Sequence, residues 1–212
     1  MSGSRIELDE LSRLLRARAG AGRLIVALAG PPGCGKSTLA EALVERLDSE
    51  APGCAAVLPM DGFHYDDLYL TPAGLRARKG APDTFDVGGL RHMLLRLRSG
   101  DEAQVAVPVF DRQLEIARAG ARLIPVTTRI VVVEGNYLLL RRAPWSDLSP
   151  LFDVAVLVET PEDVLRERLT ARWRRYGLTP EQIAEKLDGN DLPNGRLVMS
   201  ESADPDFVIA NG

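Results

Sequence analysis

The sequence predicts a three-layer α/β/α protein, in which helices cover both faces of a mostly parallel β-sheet. First, several short segments are apolar almost without interruption, which is typical of strands covered on both faces. Second, helical patterns separate many of these segments, and the connections are long enough for the crossovers that parallel pairing requires. The predicted strands lie at residues 23–29, 55–60, 105–109, 130–133, 153–158 and 207–210.

Helices are placed by apolar spacing and by capping signatures. Amphipathic patterns cover residues 6–18 and about 35–47, and apolar residues mark a further helix at 90–97. Thr160 and Thr179 are each followed by Pro-Glu, which predicts an N-cap threonine with proline at the first helical position.

Two stretches have no clear periodicity. Residues 62–86 are rich in Gly, Pro and Asp, and a loop of this length in a compact domain is usually functional. Residues 110 to about 121 are predicted to form turns. Because no repeat or interdomain linker is visible, we expect residues 1–212 to form a single domain, with a small helical lid at about 161–190.

A phosphate-binding motif, G-x-x-x-x-G-K-[ST], directly follows the strand at 23–29. Its glycines let the backbone approach a polyphosphate, and the helix that follows directs its positive end at the same anion. The lysine can reach the outer phosphates and the serine can ligate Mg²⁺. This is the arrangement of the P-loop NTPase fold. The predicted nucleotide-binding residues are Gly30, Gly33, Cys34, Gly35, Lys36, Ser37 and Thr38.

Two acidic residues follow other predicted strands. Asp61 ends the strand at 55–60, and Glu134 ends the strand at 130–133. Ligands of open parallel sheets bind beyond the carboxyl ends of the strands, so both acids are expected near Lys36 and Ser37. Phosphoryl transfer requires one carboxylate that orients or deprotonates an acceptor hydroxyl and another that holds Mg²⁺ or its waters.

Three strings carry a family resemblance: Met-Asp-Gly-Phe-His at 60–64, Arg-Lys-Gly-Ala-Pro-Asp-Thr-Phe-Asp at 78–86 and Val-Glu-Gly-Asn-Tyr-Leu at 133–138. They resemble the uridine kinase, phosphoribulokinase and pantothenate kinase superfamily, and within it a bacterial branch named after a fructose transport system kinase. The resemblance implies that Asp61 activates the acceptor, with Lys36 as a further catalytic residue, and that Ser37 and Glu134 hold the metal. The acceptor-binding residues that it suggests are Phe63, His64, Lys79, Phe85, Asp86, Arg112 and Asn136.

One segment departs from the uridine kinase pattern. Residues 108–112 resemble the string Pro-x-Tyr-Asp-x-x-x-His-x-Arg, but Glu115 and Ala117 stand at its His and Arg positions. Those positions contact the nucleoside in that family, so the departure argues against uridine as the acceptor.

The predicted helix at 161–176 is rich in arginine. Arg168, Arg172 and Arg175 share one face, where like charges repel unless they meet an anion. The family's lid carries arginines here, and Arg168 and Arg172 match it best, which implies that they stabilise charge on the transferring phosphate. The alternative is an ordinary solvated basic face.

The amino-acid composition limits the kinds of partner that we expect the protein to bind. The formal net charge is −4, whereas general nucleic-acid binders usually have a basic excess. No apolar run approaches a membrane span, and the first ten residues lack the apolar core of a signal peptide, so we expect a cytoplasmic protein that binds neither nucleic acid nor membrane.

The sequence thus predicts an ATP-dependent phosphotransferase that moves the γ-phosphate to a hydroxyl of a small metabolite, with Mg²⁺ as cofactor. A fructose-like sugar, a nucleoside and a pantothenate-like acceptor all remain open. The alternative is a nucleotide-dependent switch or accessory ATPase without such an acceptor. The guanine-reading string Asn-Lys-x-Asp and the transporter signature Leu-Ser-Gly-Gly are absent. Neither ATP preference over other triphosphates nor the oligomeric state follows from the sequence.

Overall fold

A six-stranded sheet forms the middle of the protein in the computed structural model, which describes residues 3–20 and 22–212. Its strand order is β1-β8-β7-β2-β6-β3, and all the pairings in it are parallel. The antiparallel pair β4 and β5 lies outside this sheet. The strands are β1 (Ser4–Arg5), β2 (Leu24–Ala29), β3 (Ala55–Pro59), β4 (Gln104–Asp111), β5 (Ile116–Pro125), β6 (Ile130–Gly135), β7 (Val154–Glu159) and β8 (Phe207–Ala210).

Helices lie on both faces of the sheet and bury its alternate side chains in two separate cores. In β2, Ile25 and Ala27 join the core of α4, whereas Val26 and Leu28 join the core of α1 and α2. This alternation confirms the predicted three-layer fold and explains the continuous apolar runs. The helices are α1 (Leu8–Arg18), α2 (Lys36–Asp48), α3 (Asp67–Leu70), α4 (Val87–Ser99), α5 (Glu162–Arg175), α6 (Pro180–Lys186) and α7 (Leu192–Glu201), with a π-helical turn, Leu187–Asp191, between α6 and α7.

The hairpin of β4 and β5 corrects one prediction. The stretch up to residue 121, predicted as turns, contains most of β5, and β4 is longer than the predicted strand at 105–109. The first part of β5 reads Ile-Ala-Arg-Ala-Gly-Ala-Arg and is largely exposed, so no apolar pattern marks it as a strand. The hairpin packs into the core that contains α4 through Val105, Val107 and Ile124.

One of the two capping predictions is correct and the other is wrong by one residue. Thr179 caps α6 through a reciprocal capping box with Gln182. Before α5, however, the cap residue is Pro161 in an extended conformation, and the helix starts at Glu162. The Thr160 hydroxyl donates instead to the carbonyl of Asn211 at 2.9 Å, so a tertiary contact replaces the local cap.

The segment predicted as a lid, residues 161–190, contains α5, α6 and most of the π-helical turn. Sequence periodicity did not predict the short strand β1, α3 or α7. Within the described ranges, no helix is both long enough and apolar enough to cross a bilayer.

Candidate active site

The phosphate-binding motif forms a loop between β2 and α2, and two of its glycines have left-handed backbone conformations. Gly33 and Gly35 have φ values of +82° and +84°. A Cβ at Gly33 would lie 2.9 Å from the Leu169 side chain, and one at Gly35 would lie 2.6 Å from Asn211 Nδ2. Both positions therefore require glycine for conformation and for space. α2 begins immediately afterwards at Lys36.

A cavity of about 280 Å³ lies at this edge of the sheet, beyond the ends of β2, β3 and β6. Lys36 and Ser37 line it beside Asp61, as expected for residues at the carboxyl ends of parallel strands. A smaller cavity of about 170 Å³ shares Ser37 and Asp61 with the first and adds Glu134 and Glu41. Of the predicted nucleotide-binding residues, those that line the larger cavity are Gly33, Gly35, Lys36, Ser37 and Thr38.

Gly30 and Cys34 shape the loop from behind. Cys34 is fully buried and belongs to the apolar core, and a Cβ at Gly30 would lie 2.7 Å from its sulfur. Burial raises the pKa of the Cys34 thiol. The side chain of Cys34 therefore packs as a small apolar group, and burial disfavours the reactive thiolate.

Ser37 and Glu134 form a pair of oxygen ligands of the kind that Mg²⁺ prefers. The Ser37 hydroxyl donates to Glu134 Oε2 at 3.1 Å, and the glutamate is buried. Burial raises the pKa of Glu134, and a cation at this position would favour the charged form. Among the described residues, no group of three or more His, Cys, Asp or Glu side chains could hold a metal. A magnesium ion shared with phosphates needs only one or two carboxylates, which this pair supplies.

Asp61 lies just after β3 and forms an ion pair with Arg112, which follows β4. Arg112 donates to Asp61 Oδ2 at 2.6 Å. Burial acts to raise the pKa of Asp61, but nearby positive charges, Arg112 foremost, outweigh it and bring the pKa below its ordinary value. The carboxylate is therefore ionised at neutral pH and can accept a hydrogen bond from a hydroxyl.

Arg172 and Arg168 of α5 have different surroundings. Arg172 lines the larger cavity, where burial and the positive charge of Arg112 lower its pKa. Two mutually repelling guanidinium groups favour an anion between them. Arg168 is not part of the lining, and it donates to the Asn211 carbonyl at 3.0 Å.

An aromatic wall borders the cavity on the side away from the loop. The His64 ring lies 4.0 Å from the ring of Phe85 and 4.7 Å from that of Phe110, centroid to centroid. Burial lowers the pKa of His64, so the ring is neutral at pH 7. Its Nδ1 lies 2.8 Å from the Asp61 carbonyl, an acceptor only, so Nδ1 carries the proton and Nε2 is left as an acceptor.

Two further predicted acceptor-binding residues line this region. Asn136 Oδ1 is buried and has no hydrogen-bond partner. Lys79 is also in the lining, although its ammonium donates to Asp67 at 2.7 Å and to the Glu115 carbonyl at 2.6 Å. Asn136 therefore offers an unused acceptor to a ligand, whereas the Lys79 ammonium already bonds α3 and the turn of the hairpin.

Phe63 and Asp86, which were predicted to bind the acceptor, do not line the larger cavity. Phe63 is buried in the core that contains α4, and its backbone carbonyl accepts a hydrogen bond from the Asp86 amide at 2.8 Å. The Asp86 side chain caps α4 by accepting from the Gly89 amide at 2.8 Å. Both residues fix the loop that carries His64 and Phe85, which is a structural role.

Several lining residues were not among the predicted site residues. Trp173 borders the cavity and donates to Asp191 Oδ2 at 2.7 Å. Lys186 lies 4.6 Å above its ring. The positions of these residues depend on the packing of α5 against the π-helical turn. The residues missed are Arg76, Ala77, Phe110, Glu115, Trp173, Lys186, Asn190, Asp191 and Asn194, together with Pro32 and Gly80.

This fold and site define a P-loop kinase. The phosphate-binding loop follows one strand of a parallel sheet, and carboxylate residues follow two other strands of that sheet. The sequence profile of the Phosphoribulokinase / Uridine kinase family matches residues 25–189. The chain therefore belongs to this family, and it is a small-molecule kinase of the uridine kinase type that uses ATP.

Individual relatives agree with this assignment. The "Uncharacterized protein YggC" of Escherichia coli (strain K12) is 38% identical over 88% of this chain and 77% of its own. The Schizosaccharomyces pombe protein named "Putative uridine kinase C227.14" is 34% identical over 88% of this chain and 83% of its own. The crystal structure of a "putative fructose transport system kinase" from Silicibacter sp. TM1040 superposes with a TM-score of 0.88 at 39% identity, covering 96% of this chain and 98% of that one. These findings confirm the superfamily and the branch suggested by the three strings.

Proposed function

We propose that the protein transfers the γ-phosphate of ATP to a hydroxyl group of a small metabolite, a fructose-like sugar or a nucleoside- or pantothenate-like compound. The observation that carries the proposal is the convergence of Lys36, Asp61 and Arg172 on one cavity, with Glu134 on the adjoining one. A phosphate-binding ammonium, an ionised carboxylate and a guanidinium are the parts that positioning and electrostatic catalysis of phosphoryl transfer require.

In the proposed reaction the phosphate loop holds the triphosphate and Lys36 contacts its outer phosphates. Ser37 and Glu134 would hold Mg²⁺, which neutralises charge on the phosphates when bound. Asp61 accepts the hydrogen bond of the attacking hydroxyl and takes its proton as the hydroxyl oxygen bonds to the γ-phosphorus, while the bond from that phosphorus to the β–γ bridging oxygen breaks and ADP leaves. Arg172 balances the charge on the transferring group.

The ion pair between Asp61 and Arg112 also has a proposed role. Arg112 donates to the Asp61 carboxylate at 2.6 Å, which keeps the carboxylate ionised and occupies one of its oxygens. The acceptor hydroxyl would share Asp61 with Arg112, and Arg112 would direct one oxygen of the carboxylate towards the acceptor. We further propose that residues 161–190 close as a lid over this site, which would exclude water and limit wasteful hydrolysis.

The acceptor is proposed from the uncharged polar groups of the lining. Asn136, Asn190 and Asn194 border the cavity beside His64, and such amides and imidazoles suit the several hydroxyls of a sugar or polyol. The fructose in the name of the Silicibacter kinase fits this chemistry. Glu115 lines the cavity at the position where the uridine kinase string has histidine, which argues against uridine.

Replacing Asp61 by Asn tests the proposal. We expect transfer to fall by about 10²–10⁴-fold, because the proton acceptor is lost, while ATP affinity changes little. Asp111→Asn is the matched control, since Asp111 pairs with Arg118 at 2.8 Å outside the larger cavity. Unchanged turnover in the Asp61 variant would show that the assigned role is wrong.

A panel assay separates the kinase from a nucleotide-dependent switch. ADP release is measured with fructose, uridine, pantothenate and related hydroxyl compounds added one at a time. A kinase releases ADP in proportion to one added acceptor, whereas a switch releases it at the same rate throughout. We expect a sugar or polyol to give the largest stimulation and uridine to give none. Cytoplasmic location is likewise proposed from the sequence.

A further inference from the structure

Asn211 makes hydrogen bonds to three different segments next to the phosphate loop. Its backbone amide donates to the Glu159 carbonyl at 2.9 Å, at the end of β7. Its carbonyl accepts from the Thr160 hydroxyl at 2.9 Å and from Arg168 at 3.0 Å. Its side-chain Nδ2 donates to the Cys34 carbonyl at 2.7 Å. One residue thus joins the last strand, helix α5 and the phosphate loop.

The bond to Cys34 determines how the next peptide group is oriented. A trans peptide is planar, so the N–H of Gly35 points opposite to the carbonyl of Cys34. Because that carbonyl is held by Asn211, the Gly35 N–H is turned to the other side of the loop. Among the described hydrogen bonds none uses this N–H, and Gly35 lines the larger cavity. A free N–H at this place is a donor for a phosphate oxygen.

Steric contact reinforces the same arrangement. A Cβ at Gly35 would lie 2.6 Å from Asn211 Nδ2, so the amide fills the space against the Gly35 α-carbon. Gly35 also has φ of +84°, a conformation that exposes successive N–H groups on one side of a loop. The amide of Asn211 and the missing side chain of Gly35 therefore complement each other.

We propose that Asn211 is a positioning residue for nucleotide binding, which holds the Cys34–Gly35 peptide so that its N–H faces the phosphates. The same residue links the phosphate loop to α5 through Arg168, which explains why this arginine bonds a carbonyl and lies outside the cavity lining. The proposal rests on the proposed nucleotide role of the loop but not on the identity of the acceptor.

Calorimetric titration of ADP and of ATP with Mg²⁺ into the full chain tests this role. Asn211→Ala removes the donor, and we expect the Kd of both nucleotides to rise about tenfold. Asn211→Asp should raise it further, because its carboxylate repels both the Cys34 carbonyl and the phosphates. Asn211→Gln keeps an amide and should recover part of the affinity.

Asp206→Ala is the control for a general loss of the last strand. Its carboxylate accepts from the Ala155 amide at 2.8 Å, just before β8, so the variant should lower the thermal midpoint without changing nucleotide affinity. If Asn211→Ala and Asn211→Asp keep their Kd values within twofold of the parent, the positioning role is wrong, whatever happens to their thermal midpoints. If Asn211→Ala or Asn211→Asp folds poorly, the remaining variant and Asn211→Gln still test the role, because Asn211→Gln should recover part of the nucleotide affinity. Because no acceptor is present, the result does not depend on whether the panel finds one.

Discussion

The two sides of the larger cavity are built in different ways. On the side of the phosphate-binding loop, one continuous segment from β2 to α2 forms the lining, and its shape is fixed by backbone conformation at Gly33 and Gly35. On the side where we propose that the acceptor binds, the lining comes from loop 62–86, the hairpin, Asn136 just after β6 and the region from α5 to α7. A triphosphate presents the same phosphate groups whichever acceptor is used, so one loop geometry suffices for it. Acceptors of different chemistry need different contacts, and a lining made of separate segments can change one segment at a time.

Gly35→Ala tests the side of the cavity formed by the phosphate-binding loop, whose shape depends on backbone conformation, and it has the largest expected effect. An alanine there adopts a left-handed conformation at a cost of about 1–2 kcal/mol and meets the Asn211 amide. We expect ATP affinity to fall about 100-fold, the equivalent of about 2.7 kcal/mol. Binding is measured by calorimetric titration of ATP.

Gly53→Ala provides the matched control for Gly35→Ala. Gly53 has a similar φ of +78° but has open space around its α-carbon and lies away from the cavity. It should lose stability through the same conformational strain and keep its affinity for ATP. Equal losses of affinity in the two variants would mean that strain alone, and not the geometry of the loop, determines binding.

Asn136→Ala tests the other side of the cavity, which is lined by side chains from separate segments, and it should have a smaller effect. The variant removes the unpartnered Oδ1 from the cavity, so the KM of the acceptor identified in the panel should rise about tenfold, while the KM of ATP stays the same. Steady-state kinetics with each substrate varied in turn measure both constants.

Ser202→Ala is the control for Asn136→Ala, because Ser202 Oγ is also buried without a partner but lies outside the larger cavity. Loss of an unpaired buried oxygen should leave both KM values unchanged in this variant. A rise in the KM of ATP in Asn136→Ala would contradict the division of the site into two sides.

The smallest expected effect is that of Glu134→Gln on thermal stability. In the protein without nucleotide or metal, this variant should change how stability depends on pH. Burial raises the pKa of Glu134, so the folded protein binds this proton more tightly than the unfolded chain does. The contribution of Glu134 to stability is then fully present below its ordinary pKa of 4.5 and is lost as the pH rises through the raised value. We expect the variant to melt about 2–4 °C higher than the parent at pH 8, and the difference to vanish near pH 4.5.

Thermal unfolding followed by circular dichroism at both pH values gives this difference. Glu45→Gln, which changes an exposed glutamate of α2, should show no such dependence. A Glu134→Gln shift of the same size at both pH values would indicate a packing effect and exclude a titration effect.

The same contrast explains what the sequence could predict. Lys36, Ser37, Asp61 and Glu134 were placed correctly on one edge, because glycine spacing is a local signal and parallel strands end on the same side of a sheet. The roles assigned to them stay predictions. Trp173 could not be assigned to the cavity, because its position depends on the packing of α5 against the π-helical turn.

For Phe63 and Asp86 the structure shows a position that the sequence did not predict. Both lie in strings that resemble the family's acceptor loop, yet sequence does not tell which side chains of an irregular loop point inward. Phe63 enters the core, and Asp86 caps a helix. β5 was missed for a related reason, since an exposed strand of small and charged residues carries no apolar period.

The hairpin formed by β4 and β5 leads to Arg112, the partner of Asp61, and yet it shares no backbone pairing with the six-stranded sheet. We therefore expect that its turn can be lengthened, shortened or exchanged with that of a relative without altering the register of any strand that supports the phosphate loop. A chimera that carries a relative's hairpin is expected to change the contacts of Arg112 and Glu115 in the cavity and to leave the phosphate-binding loop as it is.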